Sequence, residues 1–317
     1  MNKFELLGLL GGGGYISGEV IAGKFGVTRA AVWKAVADLR GDGYKIESRT
    51  NNGYRLASAF DVLNAHEIKS RLAGLDFEVI YKKATGSTND DAKKITGGHN
   101  VIVAAGELSA ARGRYGRGFS AGPGGAYFTL RIGRPDNFFN LDGLTFYPLI
   151  AAAATARAVF ELCGIDLCIK WPNDLLYKSP GGYRKAVGIL TEASIQAESR
   201  DICYVIAGIG VNVNTGGFDG ELKDTATSLK LITGQDYSRA DLICAIVRNF
   251  MQFAHSSREH LLGEYKKRLL SGVRVSFAQN GREYTGVARD INSSGNLLAE
   301  VDGAVITVQS GEISLIK

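Results

Sequence analysis

The sequence predicts an α+β protein on three observations. A helix, turn, helix and hairpin pattern fills the first 58 residues, and glycine-punctuated strands alternate with apolar helices in the middle. Five short alternating runs then close the chain. The expected parts are a winged helix-turn-helix over 1–60, a mixed or largely antiparallel α+β domain over 61–270, and an SH3-like β-barrel over 271–317. A chain of 317 residues with 45% hydrophobic content has enough apolar side chains for separate cores.

In the first part, Phe4, Leu6, Leu7, Leu9 and Leu10 suggest an apolar helix that frays into Gly11–Gly14. A short helix fits Gly18–Phe25, with Gly26 as its turn. Thr28 is a good N-cap for a helix running to Arg40. There Val32, Ala35, Val36 and Leu39 recur at i, i+3, i+4 and i+7, which makes one buried stripe. Trp33, beside that stripe, is expected to pack. Strands around Tyr44–Ser48 and Tyr54–Leu56 flank the polar tip Arg49–Gly53 and complete the winged plan. Eight Lys/Arg against five Asp/Glu over 1–58 permit a nucleic-acid partner, with Arg29, Ala30, Lys34 and Arg49 as candidate DNA-binding residues.

In the middle part, strands are expected at 77–83, 101–105, 126–132, 167–170, 186–192 and 204–213, and long helices at 146–163 and 238–270. The stretch 185–192 is a candidate edge strand for a second subunit or an acceptor protein. The last part shows runs at 273–278, 284–291, 297–301, 305–309 and 313–316, split by Gly281, Gly295, Gly303 and Gly311.

Composition narrows the function. The four cysteines (Cys163, Cys168, Cys203, Cys244) lack Cys-x-x-Cys spacing and neighbouring histidines, which argues against a zinc site and for buried free thiols. A formal charge of +5 is mild. No apolar stretch is read as long enough for a membrane span, and the opening residues make a poor signal peptide, so a cytoplasmic protein without membrane contact is expected.

Two segments carry chemistry. Arg112-Gly113-Arg114-Tyr115-Gly116-Arg117-Gly118 sets three arginines among glycines, an arrangement suited to clamping an anion. No Walker A or complete Gly-x-Gly-x-x-Gly occurs. Lys170-Trp171-Pro172-Asn173-Asp174 ends an apolar run, and its proline turns the backbone out of the sheet, fixing the lysine's position.

Both segments resemble signatures of biotin–protein ligases, and Thr28-Arg29-Ala30-Ala31-Val32-Trp33-Lys34 resembles the recognition helix of family members that are also biotin-operon repressors. Ser87-Thr88-Asn89, Lys185-Ala186-Val187-Gly188-Ile189-Leu190-Thr191-Glu192 and Gly208-Ile209-Gly210-Val211-Asn212-Val213 are similar to three further family motifs in order and spacing. The resemblance implies ATP-dependent activation of biotin to biotinyl-5'-adenylate, then transfer to a lysine of a biotin carboxyl carrier protein. It also implies Mg²⁺ as cofactor, operator DNA as a partner, a homodimer once the adenylate is bound, and the adenylate as corepressor.

By the same resemblance Ser87, Thr88, Asn89, Arg112, Gly113, Arg114, Lys170 and Gly188 bind biotin, with Lys170 and Arg114 catalytic. Arg117, Phe119, Asn173 and Asn212 bind ATP or the adenylate, with Phe119 where the family usually has a stacking tryptophan. No metal ligands are identified. Leu108 stands in place of a biotin-contacting glutamine, Ala111 in place of a glycine, and Gly106 in place of a common glutamate. Cys168 is read as a packed strand residue. The alternatives are a lipoate–protein ligase and a biotin-sensing regulator with impaired ligase activity.

Overall fold

Residues Met1–Glu67 form one unit and Ile68–Lys317 a second. In the first, Asn2 and Glu5 form a reciprocal capping box that starts α1 (Lys3–Leu10). Ser17 caps α2 (Gly18–Phe25), which Gly26 ends at φ 62°. Thr28 caps α3 (Arg29–Gly41). β1 (Lys45–Arg49) and β2 (Gly53–Ser58) pair antiparallel as the wing, and Ile16 bridges to Tyr54 at its base. Leu6, Leu10, Ile21, Val32, Val36, Leu39, Tyr44 and Ile46 make the core, so the predicted stripe of α3 is buried. Trp33 corrects one expectation. It is 65% exposed, because a residue one step along a helix from Val32 is rotated away from the stripe.

The chain continues through α4 (Ala65–Arg71), and the second unit is built on a seven-stranded sheet. In chain order its strands are β3 (Glu78–Thr85), β4 (Val101–Leu108), β5 (Ala126–Ile132), β6 (Cys168–Lys170), β7 (Asp174–Ser179), β8 (Gly182–Ile195) and β9 (Ile202–Val211). Their spatial order is β3-β4-β5-β9-β8-β7-β6; β3 and β4 run parallel and every other pair antiparallel. α5 (Thr88–Lys93) packs on β4, β5 and β9, while α6 (Tyr147–Cys163) and α9 (Arg239–Ala254) pack on each other and on the sheet. Short helices α7 (Leu222–Thr225) and α8 (Leu229–Thr233) follow β9. The computed structural model describes residues 1–116, 118–119, 121–133, 141–196, 198, 201–309 and 311–316.

Several expectations are revised here. The single helix expected over 238–270 is two, because Ser257 caps a new start at α10 (Arg258–Lys266). The segment Gly143–Cys163 is long and apolar enough to cross a membrane by length and composition, contrary to the reading of the sequence, but two thirds of it is buried in the fold as a core helix. The stretch 185–192 is only partly an edge. β7 pairs with β8 up to Gly188, and among the described residues Ile189–Ile195 pair with β9 alone. Cys203 is exposed, whereas burial raises the thiol pKa of Cys163, Cys168 and Cys244.

The chain ends in a five-stranded antiparallel sheet of β10 (Arg274–Gln279), β11 (Arg282–Ile291), β12 (Leu297–Val301), β13 (Ala304–Val308) and β14 (Ile313–Leu315). Each strand lies within two residues of its expected position. Val275, Phe277, Ala288, Ile291, Leu297 and Ala299 are buried, the alternation a small barrel requires.

Candidate functional site

Three glycines make the floor of a cleft. In the register of β8 with β9, Gly188 faces Gly210 and Leu190 faces Gly208, so these residues share one face of the sheet. The Phe119 ring lies on the bare backbone, since a Cβ at either Gly188 or Gly210 would come within 2.8 Å of it. Above Gly208 sits Asn89, which a Cβ there would overlap. Phe119 is delivered by a closed loop: its N–H donates to the Ala111 carbonyl at 3.1 Å, Arg112 bridges Gly118, and Arg114–Gly116 form a 3-10 turn.

The cleft spans about 840 Å³, part of it open to solvent, and is bounded by the start of α5, this loop and the glycine floor. Ser87, the N-cap of α5, accepts the Asp90 N–H at 3.2 Å, which leaves its hydroxyl proton available. Thr88, Arg112, Gly113, Arg114, Gly188 and Tyr127 line the same space, as does Glu312, just before β14. Leu108 also lines it and offers no hydrogen bond.

A second pocket of about 1010 Å³ adjoins the first. The two share Gly118, Phe119, Asp174 and Lys185. Asp174 lies between two cations, 2.9 Å from Lys170 Nζ and 2.6 Å from Lys185 Nζ. Burial alone would raise its carboxyl pKa; Lys185 and Lys170 outweigh that and hold it below the usual carboxylate value. The trio therefore carries a net positive charge, with Lys170 and Asp174 largely shielded from solvent and Lys185 more exposed. Asn212 also lines this pocket. Its side-chain N–H donates to the Thr227 carbonyl at 3.0 Å, while its buried Oδ1 has no hydrogen-bond partner among the described residues and suits a ligand donor.

The Lys170–Asp174 turn is pinned at three points. Trp171 is buried and donates from Nε1 to the Gly295 carbonyl at 2.9 Å, Tyr265 donates to the Pro172 carbonyl at 3.1 Å, and Asn173 donates to the Ile189 carbonyl at 2.5 Å. The Trp171–Pro172 peptide is cis. Trp171 and Asn173 are thus spent on anchoring, and the charged ends of the motif face the pocket.

Of the residues expected from the sequence, Ser87, Thr88, Asn89, Arg112, Gly113, Arg114, Phe119, Asn173 and Gly188 line the first cleft, and Phe119, Lys170 and Asn212 the second. Arg117 lies outside the described residues. The structure adds Lys185 and Asp174. Lys185 stands in a quoted motif without a role, and only the pairing of β7 with β8 reveals that it faces Lys170 across Asp174. On α3 and the wing, Arg29, Ala30, Lys34 and Arg49 are all exposed, and Arg49 stacks over Tyr15 at 4.8 Å. Among the described residues no three His, Cys, Asp or Glu side chains cluster as a metal cage.

Comparison with known proteins adds a consistent frame. Residues 2–55 match a helix-turn-helix (HTH) domain, 77–212 the biotin/lipoate A/B protein ligase family, and 270–316 the biotin protein ligase C-terminal domain. The chain is 34% identical to the bifunctional ligase/repressor BirA of Bacillus subtilis, over 96% of this chain and 95% of that one. It is 27% identical to the protein of the same name from Escherichia coli, over 98% and 96%. The biotin protein ligase of Aquifex aeolicus, solved with biotin and ATP, superposes with a TM-score of 0.64 at 28% identity, covering 76% of this chain and 99% of that one.

Proposed function

The chain belongs to the bifunctional biotin ligase/repressor family, and on that premise we propose that its two joined cavities activate biotin with ATP and pass it to a protein lysine. The single observation that carries this reading is the shared wall of Phe119, Asp174 and Lys185, which lets an acid in one cavity meet a nucleotide in the other.

The chemistry has two steps. A biotin carboxylate oxygen bonds to the α-phosphorus of ATP while the bond to the β-phosphate oxygen breaks, releasing pyrophosphate. An acceptor lysine amine, having lost a proton, then attacks the acyl carbonyl and AMP leaves. The first step brings two anions together, so preorganised cations are the main requirement. Lys185 serves that junction, Lys170 the nucleotide side, and Arg112 and Arg114 the biotin side. Asp174 stays ionised and keeps both ammonium groups in place. Phe119 offers a face to the purine, and Asn212 Oδ1 an acceptor to the nucleotide. Mg²⁺ held by the triphosphate would neutralise phosphate charge, and Asp174 is the carboxylate in that pocket that could approach it.

A free Ser87 proton suits the carbonyl of a cyclic urea. That favours biotin over lipoate, whose dithiolane ring has no such group. Ligand binding is proposed to favour a homodimer through the side of Ile189–Ile195 that pairs with no strand among the described residues, and so to place two winged units on operator DNA. The proposed division of labour is DNA binding by 1–60, catalysis by 61–270 and a supporting barrel over 271–317, in the cytoplasm. Incubation with labelled biotin, ATP and a biotin carboxyl carrier domain tests the enzyme. A labelled carrier is expected; an unlabelled carrier supports the sensor alternative, and labelling with lipoate in place of biotin supports the other.

A further inference from the structure

A chain of hydrogen bonds behind the cleft fixes which way one hydroxyl points. At its surface end Lys93 Nζ lies 2.6 Å from Glu192 Oε1. The other oxygen of Glu192 accepts from Asn89 Nδ2 at 2.8 Å, and the Leu190 carbonyl accepts from the same nitrogen at 3.3 Å. A carboxylate and a carbonyl are both pure acceptors, so the NH₂ side of Asn89 must face them and Oδ1 must face the other way. Oδ1 lies 2.6 Å from Thr129 Oγ1, which in turn lies 2.8 Å from Thr88 Oγ1.

Thr129 is fully buried and has one hydroxyl proton. Asn89 Oδ1 has none, so Thr129 donates to Asn89, and Thr88 must supply the proton on the remaining contact. Thr88 then presents only lone pairs to the cleft it lines. The arrangement needs Gly208, because a Cβ there would occupy the place of Asn89 Oδ1.

We propose that Thr129, acting through Thr88 and locked by Asn89 and Glu192, is a positioning residue that makes the cleft select a ligand with an N–H donor at Thr88. Next to the donor offered by Ser87, this reads an adjacent carbonyl and N–H. The inference rests on the biotin reading above and adds the residues that enforce the polarity.

The test compares the wild-type chain with Thr129→Val and Thr129→Ser. Affinity is measured for biotin and for the two cyclic carbamate analogues, in which a ring oxygen of similar size replaces one ureido N–H. The wild type is expected to reject one analogue by about 100-fold or more, because two acceptors then face each other. In Thr129→Val the Thr88 proton is released. Biotin binding should weaken by about 10-fold while that analogue gains, so the ratio falls by at least about 10-fold. Thr129→Ser keeps the relay and should keep the ratio. Glu192→Gln, whose amide can turn a donor toward Asn89, is the second variant should Thr129→Val fold poorly, and the ratio should fall there too. A folded variant that weakens biotin and the analogue equally, or changes neither, overturns the proposal. A wild type that binds no biotin overturns the functional reading instead.

Discussion

Asp174 shows how one side chain can serve both charge placement and stability. Its pKa is depressed in the fold, so its stabilisation is fully present above the ordinary carboxylate value and is lost as pH falls through the folded value. Asp174→Asn should therefore cost on the order of 1–3 kcal/mol near neutrality, and its melting-temperature gap from the wild type should close below about pH 4. A gap that widens on acidification contradicts this. Leu108 supports a prediction of the opposite sign. Leu108→Gln puts a hydrogen-bonding group on the cleft wall and should tighten biotin by about 1 kcal/mol, a roughly five-fold lower Kd by titration calorimetry. At this scale the cleft residues of the motifs were legible in the sequence. Lys185 was not, because its place near Lys170 depends on the antiparallel pairing of β7 with β8, and β7 was not expected. Trp33 was misread because adjacency to a buried stripe is not membership of it.

Helix α3 shows what an element adds to its residues. α3 hides Val32, Ala35, Val36 and Leu39 and shows Arg29, Ala30, Trp33 and Lys34 to solvent. Trp33→Ala should leave stability within about 0.5 kcal/mol, whereas Leu39→Ala should lose about 2–5 kcal/mol in urea unfolding. Lys34→Ala should lower the slope of log affinity against log salt by about one on duplexes selected from a random pool. An unchanged slope would remove Lys34 from the phosphate contacts. Elements with strong periodicity and caps were legible, α3 and the C-terminal strands most clearly. β7 was missed because Asp174–Ser179 is short and follows directly on a motif read for its chemistry. The split between α9 and α10 did have a signal, the cap at Ser257, which apolar continuity on either side concealed.

At the scale of the whole molecule, the order of winged helix, mixed sheet and terminal barrel followed from changes in period along the sequence, from 3.6 to mixed to 2. The joining of the parts did not. Glu312, just before β14, and Ser314 within it line the two cavities, and the Gly295 carbonyl holds Trp171 from 124 residues away in the chain. The terminal barrel is thus part of the site's wall. The side of Ile189–Ile195 that pairs with no strand among the described residues predicts assembly: sedimentation should show a doubled mass with biotin and ATP present, and an unchanged mass would remove the dimer from the account.

The most direct test of the joined cavities is biotin-dependent exchange of labelled pyrophosphate into ATP, which reports the first chemical step without DNA or acceptor. The wild type should exchange with biotin, and Lys185→Met should be slower by about 10²–10³-fold while still folded. Exchange by Lys185→Met at the wild-type rate, or none by the wild type with biotin, would contradict the claim that this lysine joins acid and nucleotide.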